Sequence, residues 1–275
     1  MSKRFLALSL FLALLVVLAP LALFNSAGAK SEGADLPEKD GVYNVPNHSN
    51  LKLRVFVHNA KPSASGNPTI APTLVCGSTS IVDPDSDAFV NGAGWRISTT
   101  TTWTYRLNLA STPATVGSSS LPAIAGNSFG AWLSAVNNSV SIVKGADTNL
   151  TRAQLDGQNI VSWGRTLGSA LAVSYVWYYP ATGLAAEVDT IMNSKFKWYW
   201  SDPNSSWPEG QTCAYSGVYD AQDIMTHEFG HTMGLTDEKT SAYVDNTMYG
   251  YGATGETKKD TLTTGDRTGV NALYQ

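Results

Sequence analysis

The chain has 275 residues, of which 43% are hydrophobic and only 15% charged, with a formal net charge of -4. This composition supplies a packed core and excludes a disordered chain. The acidic balance, with no cluster of Lys and Arg, excludes a nucleic-acid partner.

The first 29 residues have the pattern of a secretory leader. Lys3 and Arg4 precede an apolar run from Phe5 to Phe24, interrupted by Pro20, and Ala27-Gly28-Ala29 offers the small residues of a cleavage site. The run is long for a leader, so a membrane anchor over residues 5–24 stands as the alternative. No second stretch is long enough to span a bilayer. In an exported chain Cys76 and Cys213 would meet an oxidising compartment, where a disulfide is the default. Asn47, Asn137, Asn149 and Asn204 each begin a glycosylation triplet, a pattern that implies surface exposure.

Residues 30–94 form an N-terminal extension, either a propeptide or a segment tied on by the disulfide, ahead of a compact α/β unit over 95–275. Residues 30 to about 50 are polar and are expected to be a mobile mature N-terminus. Leu51 to His58 alternates, with Leu51, Leu53, Val55 and Val57 against Lys52, Arg54, Phe56 and His58, and predicts a strand. Lys61 to Pro72, with three prolines, is a loop or linker. Thr101 to Leu109 predicts a strand rich in Thr, Trp and Tyr. Ser120 to Val136 has helical spacing, and Val140 to Lys144 is a short strand. Ala170 to Tyr179 is nearly continuously apolar, as a central strand should be. A turn at Thr182-Gly183 leads to Leu184–Asn193, which pairs plausibly with it. Trp198 to Tyr219 is loop-like.

The chemistry concentrates in Tyr219 to Asp237. Asp220 can cap a helix, with Asp223 in its first turn. His227 and His231 are four apart, so their rings leave one helix face a turn apart and can share one zinc ion. Glu228 lies on the adjacent strip, placed to act as a general base rather than a ligand. Gly234 can end the helix in a left-handed conformation and turn the chain back. Asp237 then reaches the metal as third ligand, leaving a fourth position for water; Glu238 is the alternative ligand. A zinc ion would acidify that water and polarise a scissile carbonyl, and Glu228 would carry the proton to the leaving amine.

The stretch His227-Glu228-Phe229-Gly230-His231-Thr232-Met233-Gly234-Leu235-Thr236-Asp237 resembles the extended zinc motif of the metzincins, with Asp where that motif ends in His. Asn246-Thr247-Met248-Tyr249-Gly250-Tyr251 resembles the methionine turn in its matrixin form. The tail from Leu262 to Tyr274 resembles the last matrixin helix, Trp103 to Asn108 the first strand, and Ala186 to Asn193 the segment near the family's structural ions. The likeness covers roughly residues 95–275 and is closest to microbial matrixin-like proteases.

The resemblance implies a metzincin-like α/β fold: a twisted mixed sheet, a long helix behind it, a zinc helix under the cleft and a C-terminal helix. It implies a monomeric zinc endopeptidase acting on proteins or peptides, with calcium at Asp189 and Asn193 as a further candidate. The family's structural zinc is not expected, because no His occurs between residues 59 and 226. The rival reading is a secreted or surface-anchored binding protein with this fold and no turnover.

Several residues keep two readings. Cys76-Gly77 lies where a matrixin propeptide thiolate would block the zinc, but its surroundings lack the family's Pro-Arg lead, and pairing with Cys213 explains both cysteines. Met248 is an apolar floor beneath the histidines. Tyr249 and Tyr251 either line the cleft or fill the core. Thr263 and Asp266 have the spacing of a capping pair. Glu187 and Asp189, alternating on one strand face, form a solvated face or an ion ligand.

Overall fold

The computed structural model describes residues 36–61, 71–77, 84–205 and 213–275. The leader, and most of the loop expected between Lys61 and Pro72, lie outside the described residues. In chain order the strands are β1 (Gly41–Val45), β2 (His48–Ala60), β3 (Leu74–Cys76), β4 (Trp103–Leu107), β5 (Ile142–Lys144), β6 (Asn159–Gly164), β7 (Ala170–Tyr179), β8 (Leu184–Asn193), β9 (Trp198–Tyr199), β10 (Cys213–Tyr215), β11 (Tyr219–Asp220) and β12 (Tyr251–Gly252). The helices are α1 (Leu121–Ala135), α2 (Ala221–Met233) and α3 (Thr264–Tyr274).

One mixed sheet carries the order β1-β2-β7-β8-β6-β4-β5, with β12 added alongside β2. The β8, β6, β4 and β5 strands are parallel neighbours, whereas β1, β2, β7 and β8 pair antiparallel. The short turn at Thr182-Gly183 makes β7 and β8 a hairpin, as their lengths and spacing predict. Helices α1 and α2 pack on one face of this sheet, and Phe129 of α1 stacks on Phe229 of α2 with centroids 3.7 Å apart. That layer joins Ile124, Trp132, Trp163, Leu171, Met192, Ile224, Met225 and Met248 into the main core. The other face is covered by a second cluster built from Leu51, Leu53, Val55, Val57, Val173, Tyr175 and Trp177.

The N-terminal segment departs from expectation. Residues 41–50 are not mobile but continue into the sheet, because β1 folds back onto β2 through a turn at Pro46-Asn47 and pairs with it from Gly41 to Val45. Asn47 takes a φ of 62°, which its short polar side chain tolerates. The alternation expected of Leu51–His58 also gives way: Val55, Phe56, Val57 and His58 are all buried. Strand β2 is covered on both faces because β7 runs beside it through eight paired positions, from Lys52 opposite Tyr178 to Asn59 opposite Ala170. Sequence-local polarity carries no sign of this pairing.

The stretch from Trp198 to Tyr219 is less loop-like than expected, since β9 pairs with β11 and β10 pairs with β3. The second of these pairings sets Cys76 opposite Cys213, and the two are joined by a disulfide. Cys76 therefore offers no thiolate, and the reading of it as a zinc-blocking switch is overturned. Asn47, Asn137, Asn149 and Asn204 are all exposed, as their acceptor triplets imply. Among the described residues, no helix is long and apolar enough to cross a membrane.

Gly234 ends α2 with a φ of 104°, a conformation that favours glycine. A Cβ there would also collide with the carbonyl oxygen of Trp95. Changing Gly234 to Ala is expected to destabilise the fold by about 2–4 kcal/mol, from left-handed strain and overpacking together. Urea unfolding of the purified variant measures this; a loss below about 0.5 kcal/mol would show that the turn relaxes without cost.

Candidate metal centre

Helix α2 is held rigidly at both ends. The Asp220 carboxylate accepts the backbone N–H groups of Gln222 and Asp223 and caps the first turn, as the sequence predicts. Trp132 donates its indole N–H to Thr226 O at 2.8 Å, and Trp95 donates to His231 O at 3.1 Å. Beyond Gly234 the chain reverses along residues 91–93, with Thr236 N donating to Asn91 O and Ala93 N to Gly234 O. This reversal returns Asp237 to the helix face that carries the two histidines.

The rings of His227 and His231 stand 4.9 Å apart at 89°. His227 Nδ1 lies 2.7 Å from Thr247 O, and His231 Nδ1 lies 2.9 Å from Leu235 O. A carbonyl can only accept, so each Nδ1 carries its ring's proton and each Nε2 is left with a lone pair. Those two Nε2 atoms converge on Asp237 Oδ1, at 3.1 and 3.4 Å. None of the three makes a hydrogen bond, although all are buried. Donor atoms around a tetrahedral zinc are spaced about 3.3 Å apart, so the trio fits a zinc ion better than it fits a polar core. Glu238 points elsewhere: its Oε1 accepts from Asn91 N and Nδ2.

Glu228 is fully buried beside the trio. Ser174 Oγ of β7 donates to its Oε2 at 2.6 Å, while Oε1 has no hydrogen-bond partner. Burial pushes its pKa up to about 7, against the opposing pull of His231 and Ser174. Burial likewise lowers His227 to about 4, so its imidazole is neutral at physiological pH. Burial resists ionisation of Asp237 too, yet the flanking His231 and His227 hold its carboxyl well below the ordinary range. Burial opposes a charge on His231, yet Asp237 beside it raises its pKa, so a metal would displace a proton there, while it would find His227 already neutral and Asp237 already ionised.

Met248 is fully buried against the middle of α2, where a Cβ on Gly230 would strike its sulfur. Two backbone links fix this turn to the Asp237 segment, Glu238 N to Met248 O and Gly250 N to Glu238 O, both 2.9 Å. Asp266 ties it to α3. Its carboxylate completes the capping box with Thr263 and also accepts Thr247 N at 2.8 Å and Met248 N at 3.2 Å. The capping pair foreseen from spacing thus also anchors the turn beneath the histidines. Tyr249 and Tyr251 are half-buried, with rings 5.5 Å apart.

The matrixin profile, Peptidase M10, matches residues 96–275. The chain belongs to the matrixin family. Matrixins are zinc-dependent metallopeptidases, and the mixed sheet, the helix under it and the C-terminal helix are the matrixin fold. No curated protein matches the chain significantly.

Glu187 and Asp189 are buried in this matrixin rather than forming a solvated face. Glu187 accepts from Asp156 N and Gly157 N, and Asp189 accepts from Gln154 N and Ile160 N. Together they clamp the loop ahead of β6. Asn193 lies four residues further along β8, about 13 Å away at strand spacing, where it donates to Ala170 O and accepts from Lys195 N. Burial raises Glu187 to about 7 despite its two N–H donors. A folded pKa above the unfolded value means that protonation favours the fold, so stability falls as pH rises from about 4.5 to about 7. Thermal unfolding across that range should show a slope that flattens in Glu187→Gln; an identical slope in both would assign it to other groups.

One residue at the site went unforeseen. His58, at the end of β2, is fully buried with its ring 3.9 Å from that of His227. The alternating pattern placed it on a polar face, and no local signal marked it. The available clue was scarcity: the chain has four histidines, and three of them meet here.

Proposed function

We propose that this matrixin is a secreted zinc endopeptidase in which His227, His231 and Asp237 hold the metal and Glu228 is the general base. The observation that carries the reading is the convergence of two Nε2 lone pairs and Asp237 Oδ1, buried and without hydrogen-bond partners, while both Nδ1 protons are tied to backbone carbonyls. Zinc in that cradle would supply a Lewis acid that acidifies water and polarises the scissile carbonyl.

The chain's own groups do the rest. Ser174 holds one oxygen of Glu228 and leaves the other free to take a proton from water and return it to the departing amine. Asp237 makes the ligand set anionic, which lowers the net positive charge relative to a third imidazole. Met248, buried against Gly230 of α2, would be the apolar floor beneath the histidines. Secretion rests on the leader pattern of residues 1–29, the disulfide and the exposed acceptor asparagines.

The assay follows casein cleavage by the purified chain, with a zinc chelator as the control. Cleavage should vanish with a zinc chelator and return with added zinc. Cleavage indifferent to the chelator would defeat the metallopeptidase reading.

A further inference from the structure

Within the matrixin region, residues 96–275, β7 is the outermost strand of the sheet. Strand β2 comes from outside that region and lies between β7 and the segment after the methionine turn. On one side it pairs antiparallel with β7, Phe56 opposite Ser174 and His58 opposite Ala172. On the other it runs parallel to β12, with Asn59 N donating to Gly250 O at 3.3 Å and Lys61 N to Gly252 O at 2.8 Å. These links join main chain to main chain, so any extended polypeptide laid along the edge of β7 can make them.

Alternate side chains of a strand face the same way, and Phe56 and His58 both face α2. Phe56 is fully buried and stacks flat on His231, centroids 3.8 Å apart and planes within 2°. Trp95, Val176 and Val188 complete its surroundings. His58 sets its ring against His227 and brings Nδ1 to 3.9 Å from Glu228 Oε1. The group that its donor atoms form with His227 and Glu228 includes neither His231 nor Asp237, so it stands beside the proposed metal position, on the side of the general base. Gly252 makes room for it, since a Cβ there would come within 3.0 Å of His58 Nε2. Both ring nitrogens of His58 are buried without a hydrogen-bond partner. Unpaired buried polar atoms are destabilising, so a strand that served only to complete a core would carry an apolar residue here. The arrangement is that of a peptide lying in a cleft.

We propose that β2 is a pseudosubstrate lying in its own cleft, and that a substrate enters as an extended strand in its place, presenting an aromatic or large apolar residue where Phe56 stands. The inference rests on the zinc endopeptidase reading given above and adds to it the class of peptide that is cut. The walls around Phe56 belong to other parts of the chain: Trp95, Val176, Val188 and the His231 ring stay behind when β2 leaves, and together they make an apolar pocket for one side chain. Pairing antiparallel to β7 fixes the direction of the entering peptide, so this pocket takes a residue on the N-terminal side of the one that faces Glu228. A substrate competes with β2 for the same backbone partners, and its apparent affinity falls by the fraction of chains whose slot is open. Phe56 belongs to the competing strand and takes no part in the chemistry.

The tests use the full-length chain isolated with zinc. Cleavage sites mapped by mass spectrometry in a mixture of denatured proteins should show aromatic and large apolar residues enriched at one fixed position before the cut; sites with no preference there overturn the pocket. A quenched peptide with Phe at that position then serves as the probe. Phe56→Ser, which loosens the competing strand, should lower its KM about tenfold or more and leave kcat as it was; an unchanged KM overturns the competition. Should that variant fail to fold, hydrogen exchange decides. In the Glu228→Gln chain, which holds the probe peptide uncut, the amides of Leu51 to Ala60 should lose protection as the peptide binds, and a peptide bound with that protection intact overturns the proposal. Cleavage that persists in chelator defeats the zinc reading itself. Cleavage that chelator abolishes, but that shows neither residue preference nor release of β2, overturns the pseudosubstrate alone.

Discussion

Replacing Glu228 with Gln will lower peptide-bond hydrolysis by the protein about 10²–10⁴-fold, the range a general base contributes. Zinc content should not change, because Glu228 stands outside the proposed trio of His227, His231 and Asp237 and its Oε2 is held by Ser174. Gln keeps a carbonyl oxygen for Ser174 and removes a buried acid whose other oxygen has no partner, so the fold should be as stable as before or slightly more so. Initial rates on a quenched-fluorescence peptide, normalised to bound zinc, measure the effect. A variant that keeps more than a tenth of the wild-type rate would remove Glu228 from the proton path.

On the zinc reading proposed above, changing Asp237 to Ala will cost the protein its metal. Loss of groups that merely orient a zinc ligand weakens affinity 10–100-fold, so loss of the ligand itself should cost at least about 100-fold. The variant also leaves two buried Nε2 atoms facing an apolar methyl, with nothing to draw them together. Competition against a chromophoric chelator gives the affinity. Should zinc be held as tightly as in the wild type, the third ligand is another group, and Glu238 could reach the position only by leaving Asn91.

The centre was legible where its parts are close in sequence. His227, Glu228 and His231 are set by helical periodicity, and Asp237 is set by a glycine that must end the helix; both signals are local. The hairpin of β7 and β8 was visible because its strands are long, apolar and joined by a tight turn. What stayed hidden depends on distant partners. Strand β1 holds Asn44 and Gly41 and has no apolar run, so only its register with β2 makes it a strand. Strand β6, with Asn159, Ser162 and Gly164, gains its shape from parallel neighbours on both sides. His58 acquires its place from pairing with residues more than a hundred positions away, and alternation alone assigns it to the wrong environment.

The antiparallel flank of the sheet also bears on how the protein is made. Strand β7 is nearly all apolar, with Val173, Tyr175 and Trp177 on the face shared with β2. Without β2 it would be a long, flat edge with unpaired backbone groups, the kind of template on which chains aggregate. Because β2 precedes β7 in the chain, it leaves the ribosome first and is waiting when the vulnerable strand emerges. The same thirteen residues can therefore serve as a chaperone carried in cis, shielding the nascent edge during folding.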